Sequence, residues 1–206
     1  MNKAGRPGTN PTLESVRASR LPAIWSMPDL SLRSILEPKP VGLLAGAFNP
    51  LHAGHLQLAQ AAALFLNGDV FFELSIVNVD KPPLDLPTIE SRRRQFPNPV
   101  LLTAAPRFYE KAAIANNTTF IIGVDTLERI IHHRYYDRES ALNSALVSIR
   151  NHGCRFLVAG RKLSQKYETL SDISIPEQFA DLFEALPESR FRSELSSTLI
   201  RQQREE

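Results

Sequence analysis

The sequence predicts an α/β fold, a doubly wound parallel sheet in a single domain with an N-terminal helical extension. Three observations predict it. The chain has 206 residues, 43% hydrophobic and 22% charged, which suits one soluble domain with a substantial core and excludes a fibrous or wholly disordered chain. From residue 41 onward, short apolar runs bounded by turn residues alternate with stretches whose apolar positions recur at helical spacing, the pattern of buried parallel strands joined by crossover helices. Finally, GAFNPLHAGH at 46–55 is rich in glycine and histidine and almost uncharged, and it lies where the first of these runs gives way to the first helix.

In chain order, residues 1–12, MNKAGRPGTNPT, are polar and rich in Gly, Pro and Asn, the composition of a disordered arm. Residues 13–40 carry spaced apolar positions (Leu21, Ile24, Trp25, Leu30, Leu32, Ile35), which predict one or two helices packed on the domain, anchored by Trp25. EPKP at 37–40 punctuates the chain, and the main domain, 41–206, begins after it. VGLLAGAF then reads as a buried strand, His55 to Leu66 as a helix, DVFFELSIV (69–77) as a strand and Thr88 to Phe96 as a short helix. The alternation continues with VLLTA (100–104) as strand, Pro106 to Ala115 as helix, TFIIGVD (119–125) as strand, helical segments between Thr126 and His152, and RFLVAGR (155–161) as the last clear strand. Right-handed crossovers then place helices on both faces of a Rossmann-like sheet. Phe71, Phe72, Phe120 and Phe156 fall on strands and read as core.

Composition also bounds the partners. A formal net charge of +2 from 24 basic and 22 acidic residues is too balanced for a general nucleic-acid or membrane binder, so any anion site is local. The single cysteine, Cys154, permits no internal disulfide and no cysteine-rich zinc site, and reads as a small core residue. There is no apolar run of transmembrane length and no secretory pattern at the N-terminus, so a cytoplasmic protein is expected. Homo-oligomerisation stays open.

In an open parallel sheet, ligands bind beyond the carboxyl ends of strands where the connections diverge. GAFNPLHAGH sits at such an end. Gly46 permits close passage of a ligand or a sharp turn, and Asn49-Pro50 favours a turn before the helix. His52 and His55 are spaced i, i+3, so at a helix start they project together toward its N-terminal mouth, which attracts anions. Imidazole donors there suit phosphate oxygens that gain charge during displacement at phosphorus. The spacing and the lack of an adjacent glutamate exclude a zinc-protease pair; capping and burial of the two rings remain the plain structural alternative.

A second element, FRSELSSTLIRQQR at 191–204, reads as a helix start capped by Ser196 or Ser197, with free backbone N–H groups for an anion. Arg201 follows about one turn later, within reach of the same phosphates.

Together these elements resemble the nucleotidyltransferase superfamily whose first motif is GxFxPxHxGH and whose last is SSTxIR. The likeness extends through ELSIVNVDKPPL (73–84), FIIGVDTLERI (120–130) and FLVAGR (156–161), and so spans roughly 41–203. Within the superfamily the chain looks cytidylyltransferase-like and is most similar to the nicotinamide or nicotinate mononucleotide adenylyltransferases. Many of these carry a tryptophan after the GxD aspartate that stacks on the pyridine ring. Here His132, His133, Arg134, Tyr135 and Tyr136 stand in that region, and Tyr135 or His133 could stack instead.

The resemblance implies transfer of a nucleotidyl group from ATP to a phosphate-bearing small-molecule acceptor, with Mg²⁺ held mainly by substrate phosphates. It implies that Gly46, Ala47 and Phe48 shape the ATP pocket with their backbone, and that His52 and His55 contact the triphosphate. Ser197, Thr198 and Arg201 would hold its outer phosphates, Asp125 would contact ribose or acceptor, and Arg161 would lie near a phosphate. Lys81, on a stiff proline-flanked loop, is a further candidate for the acceptor phosphate, with a solvated lysine as the alternative. Arg92, Arg93 and Arg94 read as a solvated helix face, with phosphate steering as the alternative. CTP as donor, phosphopantetheine as acceptor, and a non-catalytic nucleotide-binding module are the competing readings.

Overall fold

The computed structural model describes residues 11–77, 79, 82–132, 139–163, 166–193 and 201. Its first half runs α1 (Leu13–Arg17), β1 (Ala23–Ser26), β2 (Leu32–Arg33), β3 (Gly42–Gly46), α2 (Ala53–Leu66), β4 (Val70–Ser75), α3 (Leu86–Arg93) and β5 (Val100–Thr103). The second half continues with α4 (Phe108–Ile114), β6 (Thr119–Gly123), α5 (Val124–Ile131), α6 (Glu139–Asn151), β7 (Arg155–Ala159), the β8 (Arg161–Leu163) and β9 (Lys166–Glu168) hairpin, two short 3₁₀ turns and β10 (Phe183–Leu186).

One eight-stranded sheet has the order β10-β7-β6-β3-β4-β5-β1-β2. Every neighbouring pair from β10 to β5 is parallel, while β1 runs antiparallel to both β5 and β2. From β3 the chain moves to one side for β4 and β5, then to the other for β6 and β7. This reversal opens a crevice beyond the carboxyl ends of β3 and β6.

The predicted alternation feeds two cores, because successive strand residues face opposite sides of a sheet. Leu44, Phe72, Ile121 and Leu157 join α1, α2 and α3 residues such as Val16, Leu58, Ala62 and Ile89 in one cluster. Leu43, Phe120, Ile122, Phe156 and Val158 join Ala112, Leu127, Leu146 and Ile149 from α4, α5 and α6 in the other. Both faces are thus covered, the doubly wound arrangement expected.

Two expectations are corrected. Helix in the 13–40 segment is confined to Leu13–Arg17, capped by the Thr12 hydroxyl, which accepts the Ser15 N–H at 3.1 Å. Ala23–Ser26 is instead a strand paired with β5 from Ala23↔Thr103 to Ser26↔Val100. Its spaced apolar residues are satisfied by the two faces of a sheet edge: Ile24 enters the first cluster and Trp25 the second. Trp25 is an anchor, as expected, set edge-on to Phe71 at 6.2 Å. RFLVAGR is not the last strand either, since β10 adds beyond β7 in parallel register, Phe183↔Phe156 to Leu186↔Ala159. The sequence does not announce it, because an edge strand of four residues with two exposed, Glu184 and Ala185, carries no apolar run.

The expected arm at 1–12 lies, apart from its last two residues, outside the described residues. A cavity of about 560 Å³ lies among Trp25, Leu36, Lys39, Leu43, Leu101 and Ala113, and gives segment 34–40 an interior to cover. Among the described residues no helix is long and apolar enough to cross a membrane.

Candidate active site

The site is assembled where β3 ends. Gly46 closes the strand and the chain turns through Ala47–His52 into α2. Phe48 holds a left-handed φ of 46°, a conformation that costs a non-glycine residue free energy and persists only when its surroundings impose it. They do: its ring is 2% exposed and meets His55, Phe72 and Phe96 edge-on at 5.0, 5.4 and 5.2 Å. A Cβ on Gly46 would stand 2.9 Å from that ring. Gly46 is therefore needed first by Phe48, whose side chain belongs to the core while its backbone borders the crevice.

His52 is the N-cap of α2, and its backbone N–H donates to His55 Nδ1 at 3.3 Å. A neutral imidazole that accepts at Nδ1 carries its proton on Nε2, so His55 retains one donor. Burial, then the charges of His52 and Arg161, push the His55 pKa down to about 3. Burial and Arg161 also push His52 below its ordinary value. Both rings are thus neutral near pH 7. His52 Nδ1 is buried and has no hydrogen-bond partner among the described residues, an unsatisfied group of the kind that marks a ligand or water position.

The far end of the chain reaches the same place. Arg201 donates through Nη1 to the Asn49 carbonyl, across 152 residues. Ser193 lies so close that a Cβ on Gly54 would stand 2.9 Å from its Oγ and 3.1 Å from His52 Nδ1. Small residues at this helix start therefore let the two ends approach.

Beyond β6, α5 begins at once, with Gly123 as its N-cap and Asp125 in its first turn. Asp125 is thus on a helix, not on the strand end that the apolar run predicted. Its Oδ2 pairs with Arg161 Nη1 at 2.9 Å, while Oδ1 is buried without a partner among the described residues. A Cβ on Gly123 would come within 2.6 Å of that Oδ1. Arg161, at the start of β8, links this carboxylate electrostatically to the histidine pair.

Gly46, Ala47, Phe48, His52, His55, Asp125, Arg161 and Arg201 therefore gather around the carboxyl ends of β3, β6 and β7. Lys81, His133, Tyr135, Ser197 and Thr198 lie outside the described residues. Among the described residues no group of three or more His, Cys, Asp and Glu could hold a metal ion.

One polar cluster went unassigned in the sequence. Glu73 and Ser75, in the ELS of 73–84, meet Lys111 from α4: its ammonium donates to Glu73 Oε1 at 2.7 Å and to Ser75 Oγ, while Thr103 donates to the same carboxylate. Glu73 is fully buried and Lys111 is 3% exposed. The cluster locks the ends of β4 and β5 to α4. A glutamate in the middle of an apolar run, VFFELS, was the available signal, because a buried carboxylate requires a partner.

No curated protein matches the chain. The cytidylyltransferase-like family matches residues 43–203, nearly the span delimited by the two motifs, and the chain belongs to that family.

Proposed function

We propose that this protein transfers the adenylyl group of ATP to the phosphate of nicotinamide or nicotinate mononucleotide, releasing pyrophosphate. Membership of the family carries nucleotidyl transfer as the general activity. The observation that supports the reading most strongly is the bond from Arg201 to the Asn49 carbonyl, which brings the cation of the last motif to the loop of the first.

In the reaction, an anionic oxygen of the acceptor phosphate attacks the α-phosphorus as the bond to pyrophosphate breaks. The nucleophile is already ionised, so no enzyme base is needed; alignment of two anions and stabilisation of the departing charge are. His52 and His55 suit the second task as neutral donors at the mouth of α2. Arg201 adds a fixed cation for the departing pyrophosphate. Asp125, with one oxygen held by Arg161 and the other without a partner among the described residues, suits a ribose or acceptor hydroxyl donor. Lys81, Tyr135 and His133 are proposed for the acceptor, and Ser197 and Thr198 for the outer phosphates. Mg²⁺, when bound, neutralises polyphosphate charge, and with no protein cluster of ligands in the described site it is assigned to phosphate oxygens and water.

The test is incubation of the purified protein with ATP or CTP, Mg²⁺ and a panel of nicotinamide mononucleotide, nicotinate mononucleotide and phosphopantetheine, with products read by mass. A dinucleotide from ATP and either pyridine mononucleotide is expected. A CDP-linked or phosphopantetheine product replaces this substrate assignment. No product from any pair, in protein that binds nucleotide, overturns catalysis in favour of a binding module.

A further inference from the structure

The three successive arginines of α3 and its C-cap do different work. Arg93 is 8% exposed, forks onto both oxygens of Glu90 at 2.9 Å, and reaches Ser26 Oγ and the Leu30 carbonyl at 3.0 and 2.9 Å. It ties α3 to β1. Arg94 is exposed and shares Glu90 at 3.6 Å. Arg92 goes elsewhere: its Nη1 donates to the Ala47 carbonyl at 3.0 Å, inside the first motif.

That loop is already braced by a neutral side chain. Gln95 accepts the Leu51 N–H at 2.9 Å and reaches the Phe48 carbonyl at 3.5 Å. Holding the loop therefore does not call for a charge at position 92. Among the described residues no ion pair joins a carboxylate to Arg92, and Glu90, the acidic residue of α3, pairs with Arg93 and Arg94 instead. Meanwhile Arg201 is held on the Asn49 carbonyl, two residues along the same loop. Burial and the Arg201 charge both push the Arg92 pKa down from its ordinary value, so the two guanidiniums are near enough to repel. Two like charges held on carbonyls two residues apart on one loop are stabilised by an anion that reaches both.

We infer that Arg92 is a second cationic arm of the polyphosphate site, acting with Arg201 on the outer phosphates of the nucleotide and on departing pyrophosphate. The inference rests on the nucleotidyl-transfer reading. It assigns one arginine of the run to the ligand and the other two to the fold.

The experiment compares wild type with Arg92→Gln, which loses the charge but keeps a donor for the Ala47 carbonyl. Arg92→Met, of similar length, is the second variant should the first not fold. Calorimetry with inorganic tripolyphosphate, ATP and adenosine is the readout. Tripolyphosphate and ATP should bind about tenfold more weakly to the variant, the scale of one charge-assisted hydrogen bond, with adenosine affinity unchanged and a shallower salt dependence for ATP. Unchanged tripolyphosphate affinity overturns the inference, as does an equal loss for adenosine, which would make Arg92 a brace for the loop. Turnover by wild type alone tests the activity itself: an active enzyme with a silent Arg92→Gln change sinks only the role of Arg92. Wild type that binds neither tripolyphosphate nor ATP overturns both.

Discussion

The imidazoles of His52 and His55 are stacked, their ring centroids 3.7 Å apart and their planes inclined by 28°. Such a pair is stable only while both rings are uncharged, since a proton on either would place positive charge against a buried neighbour and toward Arg161. On the proposed function this pair would meet phosphate as neutral hydrogen-bond donors, and the fixed charge would come from arginine.

Replacing His55 by alanine should leave a folded protein, since Phe72 and Phe96 still hold the Phe48 ring that His55 touches, and should lower turnover by roughly a hundredfold or more. Pyrophosphate release with the acceptor identified by the substrate panel measures it. Turnover equal to wild type would remove His55 from the chemistry.

The pair also sets a pH dependence of stability. With the folded His55 pKa depressed from 6.5 to about 3, the unfolded chain binds a proton that the folded chain refuses in the window between these values. Stability should hold above about pH 6.5 and fall as the pH drops toward about 3, with a slope of up to about 1.4 kcal/mol per pH unit from this group. His52 acts in the same direction. Urea midpoints of wild type and His55→Ala across pH 4.5 to 7.5 test it, and parallel curves for the two proteins would contradict it.

Gly46→Ala should destabilise the protein by about 1–3 kcal/mol, the usual cost of overpacking. The added methyl meets the Phe48 ring at 2.9 Å, and that ring is held by Phe72, Phe96 and His55. Because the displaced residue carries the loop, KM for the nucleotide should rise as well. A variant as stable as wild type would mean that the ring has room to move.

Lys111→Met leaves Glu73 buried without its cation, and should cost about 3–5 kcal/mol. Replacing both partners, Glu73→Leu with Lys111→Met, should recover part of that loss, because no charge is then left unpaired. A denaturant-based double-mutant cycle reads the coupling, and additive effects would show that the two charges are independent.

Much of this was legible in the sequence because β3, β4, β6 and β7 are buried on both faces, and strands of that kind write themselves as unbroken apolar runs. β1 and β10 were not legible, since a four-residue segment has too few positions to tell a period of two from one of 3.6, and β10, at the sheet edge, needs only a few apolar residues. In the site, GAFNPLHAGH and Arg201 announced themselves by residue type and spacing. Arg92 did not, because a run of three arginines looks uniform until the fold gives each a different neighbour. Glu73 and Lys111 are 38 residues apart, and nothing local to either names the other.

Arg201 and Asn49 also impose an order of events on synthesis. The loop around Asn49 leaves the ribosome some 150 residues ahead of the arginine that donates to its carbonyl. On the proposed function, a chain cut short between the two would lack that arginine, so nucleotidyl transfer should begin only once residue 201 has been made.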